Sequence, residues 1–401
     1  MTTRSEPTSA SLRPLFIAVG AVVFVDTMFY AAVAPLLPAL SREFHLSKLS
    51  AGVLTAAYPI GTLLGSLPSG RLAERAGPRA TLYAGLSLLA CSSLAFGFVN
   101  EIALLDLARF AQGVGGACSW AGGLAWLIAV VSPDRRGGAI GGSLGAAIGG
   151  ALFGPVVGTL AQALGRAAVF SAVVVIAGAL MIWVSRLPAA GGSGEDRSPV
   201  RLRDALRRPA LALAMWLVAL PAIASGSVNV LGPLRLGHLG ASAAGIGATF
   251  LVAAAAEALI SPVVGHVSDR RGRMLPLRIG LAAATVVLLC FTLPATAPGQ
   301  AVILVVTTIA LGVFWAPSMA MLSDAADRHG IGQGYALGLI NLAWAAGVIV
   351  GSGGGGALAK ATGDEAPFAV WAFLCAGTLA LVLAHPFREK LGFGVLSRQR
   401  E

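Results

Sequence analysis

The feature that most constrains this sequence is a series of long apolar runs separated by short polar turns. A helix that crosses a bilayer needs about 20 mainly apolar residues. Because lipid offers no hydrogen bonds to bare backbone, we predict that each run is a helix. Twelve candidate spans lie at 12–40, 51–70, 80–99, 102–131, 138–163, 167–187, 210–232, 243–264, 274–295, 301–322, 332–358 and 367–386.

Composition also favours a membrane protein. Hydrophobic residues make up 56% of the chain and charged residues only 11%, whereas soluble domains carry about 25% charge. The net charge of +10 is spread over short clusters between apolar runs, so we predict the lipid bilayer and not nucleic acid as a partner. The four cysteines lie inside apolar runs without a CxxC pair, so no metal site is expected. The predicted fold class is an all-α membrane protein.

The distribution of positive charge predicts an orientation. Lysine and arginine favour cytoplasmic loops. With the N-terminus inside, the basic residues on the outer side are only Arg42, Lys48, Arg166, Arg235 and Lys360. We therefore expect a multi-pass protein of the cell inner (plasma) membrane with both termini in the cytoplasm.

The chain divides into two related halves. A polar, Gly/Ser/Pro-containing stretch separates six spans from six. A turn pattern at Gly70 recurs 195 residues later at Gly265, and a glycine pattern at Gly150 recurs 197 residues later at Gly347. We predict an N-tail at 1–11, a six-helix bundle at 12–187, a cytoplasmic linker at 188–209, a second six-helix bundle at 210–386 and a C-tail at 387–401.

The repeated turn resembles the loop signature of the major facilitator superfamily. Its two copies are Gly70, Glu74, Arg75 and Gly77, and then Gly265, Asp269, Arg270 and Gly272. Glu74 stands where the signature has Asp, and Pro78 replaces a basic residue. The resemblance implies two rocking bundles and secondary transport. Such a turn needs glycine for unusual backbone angles. Its charges would form gating ion pairs, or else a solvated turn that sets topology.

The fifth span carries a second pattern, made of Gly150, Gly154, Pro155 and Gly158. Glycines at this spacing give a smooth face for close helix contact, and proline bends the helix. The pattern resembles the antiporter motif of the drug:proton branch, except at Thr159. That resemblance implies export. The alternative is general small-residue packing, which says nothing about the direction of transport.

Asp26 is an isolated carboxyl in the middle of the first span. Lipid and protein disfavour its charged form, which suits a group that alternates between a proton and a cationic substrate. Tyr30 lies four residues on and shares its face, where it could donate a hydrogen bond or stack on a cation. An acid at this place is similar to that of vesicular amine transporters and some multidrug exporters. The alternative is an aspartate satisfied by neighbouring helices.

Arg109 lies within the fourth span, about two turns in from its outer end. The sequence from Arg109 to Gly113 resembles the R-x-x-Q-G motif of the same branch, which implies that Arg109 helps to move protons to and from Asp26. A local structural pair with Asp106 is the alternative.

Other intramembrane residues are weaker candidates. We predict that Glu257 is a second proton site, or else part of a structural pair. Two asparagines either bind substrate or bridge helices, and three aromatic residues line a hydrophobic cavity or simply pack. These five are Asn229, Asn341, Phe29, Trp315 and Trp344.

These features predict a proton-coupled exporter of small hydrophobic or cationic compounds that works by alternating access. An importer or facilitator of a small metabolite on the same fold is the alternative. The sequence has no HExxH, P-loop or cysteine–histidine pair, so we predict neither an enzyme nor a cofactor. The expected partners are protons and a small-molecule substrate, and we expect a monomer.

Overall fold

The computed structural model describes residues 9–131, 136–187, 207–331 and 333–384. Within these ranges, every regular element is a helix. In chain order they are α1 (Ser9–Ala31), α2 (Val33–Glu43), α3 (Lys48–Arg75), α4 (Pro78–Phe98), α5 (Ile102–Val130), α6 (Arg136–Leu164), α7 (Arg166–Ser185), α8 (Pro209–His238), α9 (Ala243–Arg271), α10 (Met274–Cys290), α11 (Ala297–Arg328), α12 (Gln333–Ile349), a π-turn (Val350–Gly354), α13 (Gly355–Thr362) and α14 (Glu365–Leu383).

The helices confirm the predicted all-α membrane fold. In the described ranges, 11 helical stretches are long and apolar enough to cross a bilayer, counting α1 with α2 and α12 with α13 as one stretch each. The helix α10 is the twelfth apolar segment and is shorter. Its predicted span ran to residue 295, but the helix ends at Cys290 because a turn ahead of Pro294 stops it. Residues 1–8, most of the linker (188–206) and the tail 387–401 lie outside the described residues.

The first span is interrupted at Ala32, between α1 and α2. Pro35 lacks a backbone N–H, so the carbonyl of Ala31 loses its helical donor four residues on. The interruption follows Asp26 by about one and a half turns. The prolines of the first span therefore shape the helix just beyond its buried acid.

The chain forms two compact units. Unit 1 comprises residues 1–39 and 57–196, and unit 2 comprises residues 40–56 and 197–401. Unit 2 thus includes a segment that lies inside the predicted first bundle. Lys48 in that segment pairs with Asp364 at 2.6 Å. An added Cβ on Gly356 would come within 3.3 Å of the Gly52 Cα, so these two helices touch through glycine. The predicted bundle boundaries stay a prediction.

Glycines of α6 carry the packing of unit 1. A Cβ on Gly150 would lie 3.1 Å from the Met28 nitrogen, and one on Gly154 would lie 2.9 Å from the Met28 oxygen. A Cβ on Gly158 would lie 3.4 Å from Pro35. The backbone of α6 therefore meets the first span, α1 with the start of α2, at distances that only glycine permits. The pattern predicted from the fifth span makes the close helix contact expected of it.

Unit 2 repeats this contact. Gly347, Gly351 and Gly355 of the eleventh span face α8, where added Cβ atoms would collide with Ala222, Ile223 and Ser227. The Ser227 hydroxyl also donates to the Gly351 carbonyl at 2.6 Å. The repeated glycine spacing therefore produces the same kind of helix pair in each unit.

The glycine contact predicts a large difference between two glycines of α6. We expect Gly150→Ala to destabilise the protein by about 1–3 kcal/mol, because its methyl group would overlap the α1 backbone. Gly145→Ala is the matched control, since a Cβ there has open space. The midpoint of thermal unfolding in detergent measures both. Equal midpoints for the two variants would contradict the packing argument.

Candidate functional site

The buried carboxyl of Asp26 is the centre of the candidate site in unit 1. Its side chain is 1% exposed. The Tyr58 hydroxyl of α3 donates to its Oδ2 at 2.8 Å, while Oδ1 has no hydrogen-bond partner among the described residues. A Cβ on Gly116 of α5 would lie 3.0 Å from both carboxylate oxygens. The carboxyl group is therefore enclosed by α1, α3 and α5. Its Oδ1 atom can still accept a hydrogen bond.

Tyr58 is the site residue that sequence analysis missed. An aromatic residue in an apolar helix usually packs, and nothing in its sequence surroundings marks it as different. Glycines bring its helix to the site. A Cβ on Gly113 of α5 would lie 2.9 Å from the Thr62 nitrogen of α3, and Thr62 donates to the Gly113 carbonyl at 3.2 Å. The close α3–α5 contact thus places Tyr58 beside a carboxyl 32 residues earlier.

Two tyrosines and an arginine form an aromatic cluster around the carboxyl. The rings of Tyr30 and Tyr58 are 4.6 Å apart between centroids. The Arg109 guanidinium carbon lies 5.1 Å from the centroid of the Tyr58 ring and 5.7 Å from that of Tyr30. At these distances a cation is attracted to the ring faces. The structure thus brings together three predicted residues, Asp26, Tyr30 and Arg109.

Arg109 is held by polar groups other than a carboxylate. Its guanidinium donates to the carbonyls of Phe29 and Tyr30 at 3.4 and 3.3 Å, and to the Gln112 Oε1 at 2.7 Å. Gln112 in turn donates to the Ser93 hydroxyl at 2.7 Å. Asp106 forms no ion pair with Arg109 in the described part of the chain, and its Oδ1 has no partner. The alternative of a local Asp106–Arg109 pair is therefore wrong, because Arg109 points toward α1.

Phe29 serves as packing in this structure. Its side chain is 2% exposed and its ring lies 5.5 Å from that of Phe170. Phe170 in turn contacts Phe96 at 4.9 Å. Only the Phe29 carbonyl takes part in the polar cluster. The prediction that its ring lines a cavity is not supported by this placement.

A second site candidate lies in unit 2, around Glu257 of α9. A cavity of about 30 Å³ is lined by Glu257 together with Pro221, Ser225, Thr308 and Trp315. It therefore unites two predicted residues, the acid and one aromatic. The Glu257 carboxyl has no ion-pair partner in the ranges given above, so the alternative of a structural pair has no contact to support it.

The remaining predicted residues of unit 2 are more scattered. Asn229 of α8 and Trp344 of α12 are half-buried, whereas Asn341 of α12 is exposed. Neither asparagine side chain forms a hydrogen bond with another described residue. The helix-bridging interpretation therefore finds no contact, and their predicted role in binding substrate stays a prediction.

The two signature turns contain the expected backbone. Gly77 and Gly272 have φ values of +88° and +83°, a region that favours glycine. Arg273 of the second turn pairs with Asp324. The charged signature residues are exposed and have no ion-pair partner among the described side chains; they are Glu74, Arg75, Asp269 and Arg270. Gly70 and Gly265 lie within helices with open space around them. Gating by these turns therefore remains a prediction.

Comparison with known proteins identifies the family. The sequence model of the Major Facilitator Superfamily matches residues 19–337, most of the chain. This chain belongs to the major facilitator superfamily. Membership confirms the predicted family and makes the protein a multi-pass secondary transporter and not an enzyme.

Individual relatives agree with this assignment. The synaptic vesicular amine transporter of Mus musculus is 25% identical over 365 residues, which cover 89% of this chain and 69% of the mouse protein. The synaptic vesicular amine transporter of Rattus norvegicus is 26% identical, and the chain spans 64% of the length of the rat protein. Two solved structures share the fold at a TM-score of 0.74. The structure of the nucleoside transporter NupG is 13% identical, and the match covers 92% of this chain and 100% of the NupG chain. A bacterial homologue of the human lysosomal transporter Spinster is 15% identical, covering 98% and 96%.

The contacts of Arg109 predict a structural cost for a like-charged substitute. Arg109→Lys retains the charge but loses the planar fork that reaches two carbonyls and Gln112, so we expect about 2 kcal/mol of destabilisation. Arg75→Lys, at an exposed position, should leave stability unchanged. Thermal unfolding in detergent is the measurement, and an unchanged midpoint for Arg109→Lys would contradict the prediction.

Proposed function

We propose that this transporter is a proton-coupled exporter of small hydrophobic or cationic compounds, with Asp26 as the group that exchanges a proton for substrate. We place it in the cell inner membrane, as a monomer with both termini in the cytoplasm. The observation that supports this most directly is the state of the Asp26 carboxyl. It is buried, has a single hydrogen-bond donor and is not locked into an ion pair with Arg109.

The surroundings of Asp26 make both of its charge states accessible. Burial favours the protonated carboxyl, because a charge is costly away from water. The Tyr58 hydroxyl and the nearby Arg109 guanidinium stabilise the carboxylate. Arg109 is anchored to backbone carbonyls and Gln112, so its charge stays near the site without neutralising Asp26 permanently. A group balanced in this way can release its proton to admit another cation.

Aromatic side chains beside the carboxyl support a cationic or hydrophobic cargo. Tyr30 and Tyr58 present ring faces that attract positive charge and also bury apolar surface. The similarity to proteins named as vesicular amine transporters agrees with such a cargo. We also propose that Asn229, Trp315, Asn341 and Trp344 contribute substrate contacts from unit 2.

The antiporter motif supports export. Gly150 and Gly154 pack on α1 on either side of Met28, next to the acid. Because their contact with the α1 backbone is so close, movement of α6 and movement of the Asp26 segment would be coupled. An inward proton gradient would then drive outward substrate flux. Proposed gating by the two signature turns and a second proton site at Glu257 complete this scheme.

Replacement of Asp26 tests the proton step. In proteoliposomes with a proton gradient, we expect Asp26→Asn to abolish gradient-driven transport, because an amide cannot exchange a proton. Energy-independent exchange of substrate should be affected less. Asp106→Asn is the control, because Asp106 of α5 does not belong to the cluster around Asp26. Full coupled transport by Asp26→Asn would reject the proposal, and reversing the gradient separates export from the alternative of import.

The proposed role of Tyr58 is to donate a hydrogen bond to Asp26, and removal of its hydroxyl oxygen tests that role. Tyr58→Phe removes the hydroxyl that donates to Asp26 but keeps the ring in contact with that of Tyr30. A hydrogen bond to a charged group contributes roughly 1.5–3 kcal/mol, so we expect proton-driven transport to fall by about tenfold. Tyr83→Phe, whose hydroxyl makes only a 3.5 Å contact with the Met181 carbonyl, should retain activity. Equal rates for both variants would contradict a role for Tyr58.

A further inference from the structure

Two consecutive hydrogen bonds connect Arg109 to a buried serine of α4. The Arg109 Nη1 donates to the Gln112 Oε1 at 2.7 Å, and the Gln112 Nε2 donates to the Ser93 Oγ at 2.7 Å. Ser93 and Gln112 are fully buried, and Arg109 is 1% exposed. A guanidinium can only donate, so the Gln112 amide turns its oxygen toward Arg109 and its NH₂ group toward Ser93. The Ser93 oxygen therefore fixes the orientation of the amide.

Close helix packing holds Ser93 beside Gln112. A Cβ on Gly115 of α5 would lie 3.1 Å from the Gly85 oxygen and 3.2 Å from the Leu89 nitrogen of α4. The two backbones are thus in direct contact within about one turn of Ser93 and of Gln112. Ser93 is therefore an acceptor whose position is set by the α4–α5 contact.

The neighbouring serine of α4 makes different contacts. The Ser92 hydroxyl donates to the Leu88 carbonyl at 2.5 Å and lies 3.4 Å from that of Leu89. In the described ranges it bonds only within its own helix. Ser92 therefore serves as a matched comparison for Ser93, because the two differ in whether they reach α5.

The bond to Gln112 is the shortest one that restrains the Arg109 guanidinium. The bonds to the carbonyls of Phe29 and Tyr30 are longer, at 3.4 and 3.3 Å. The Arg109 Nε has no hydrogen-bond partner among the described residues. Loss of the Ser93 oxygen would leave a buried NH₂ group unsatisfied, which is costly, and would remove the group that orients the Gln112 amide. The main restraint on the guanidinium would then be lost.

Asp26 offers a released guanidinium a partner. Its Oδ1 accepts no hydrogen bond from any described residue. Tyr58, which donates to its Oδ2, has its ring centroid 5.1 Å from the Arg109 guanidinium carbon. Tyr30, beside Tyr58, is the other titratable group of the cluster, and α6 has no ionisable residue between 137 and 164. Opposite charges attract strongly in a buried site, so Arg109 would close onto the carboxylate.

We propose that Ser93 is a positioning residue for transport, which acts through Gln112 to hold Arg109 near Asp26 without letting the two form an ion pair. This inference rests on the proton exchange proposed at Asp26. With Ser93 in place, the guanidinium stabilises the carboxylate from a distance and the carboxyl can still take up a proton. Without it, a direct ion pair would favour the carboxylate and slow the exchange.

Infrared titration of the purified full-length protein in detergent tests this role. The carbonyl band of protonated Asp26 is the band that Asp26→Asn removes, and its loss is followed as the pH rises. We expect Ser93→Ala to move the midpoint of that loss to lower pH by about one unit, because a direct ion pair opposes protonation. In proteoliposomes, the same variant should also show proton-driven transport that is several-fold slower.

Two further variants separate positioning from a general effect on packing. Ser92→Ala should leave the midpoint and the transport rate unchanged, since its hydroxyl bonds only within α4. Gln112→Met should shift the midpoint as Ser93→Ala does, and the double variant should shift it no further, because Ser93 acts through Gln112. Thermal unfolding in detergent establishes that each variant is folded.

Several results would overturn the role of Ser93. They are an unmoved midpoint or an unchanged transport rate in folded Ser93→Ala, an equal shift in Ser92→Ala, and additive shifts in the double variant. A shift to higher pH would also overturn it, since Arg109 would then have turned away, toward Asp106 of its own helix. The titration requires neither substrate nor gradient. Full coupled transport by Asp26→Asn would therefore reject the proposed exchange, whereas an unmoved midpoint would reject only the role of Ser93.

Discussion

Close backbone contact between α1 and α6 is the interaction on which the candidate site of unit 1 depends. Helices in a membrane gain no hydrophobic energy from meeting, so their association rests on close van der Waals packing and interhelical hydrogen bonds. Gly150 and Gly154 allow α6 to lie directly on the α1 backbone, and Gly158 continues the contact at Ala32 and Pro35. A side chain at any of these positions would push the two helices apart. The contact thereby keeps the Asp26 segment of α1 in place against α6.

A second glycine contact completes the site from the other side. Gly113 and Gly116 of α5 let that helix approach α3 and α1, and this brings Tyr58 and Arg109 to the carboxyl. The result is an acid enclosed by protein, with one donor and a nearby fixed cation. Burial and the polar neighbours act in opposite directions on its charge, because one disfavours and the other stabilises the carboxylate. That opposition is the physical basis of the proposed exchange.

Unit 2 uses the same packing but a different chemistry. Gly347, Gly351 and Gly355 repeat the close contact with α8, yet no acid of α8 corresponds to Asp26. Its intramembrane acid, Glu257, instead comes from α9, is half-buried, and lines a cavity with the hydroxyl-bearing Ser225 and Thr308. The repeat therefore preserves the way helices meet while the polar groups between them have diverged. The acids of the two units therefore lie in different polar surroundings.

Much of the architecture could be predicted from the sequence because its causes are local. Apolar length identifies spans, since backbone groups in lipid must bond within their own helix. Glycine spacing predicted a smooth helix face, and the glycines of the turns predicted positive φ at Gly77 and Gly272. The family followed from those same motifs. Asp26 and Glu257 were recognisable because a charge in an apolar run is costly and rarely kept without a role.

Tertiary structure alone decided which residues meet. The sequence offered Asp106 as a neighbour for Arg109, but the guanidinium donates to the carbonyls of α1 instead. It offered Phe29 as a cavity residue, while the packing sends its ring into the aromatic core. The Tyr58 hydroxyl bond and the Glu257 cavity were also unpredictable, because both join helices far apart in sequence. Periodicity along one helix determines its faces, but the partner of each face depends on how all the helices pack.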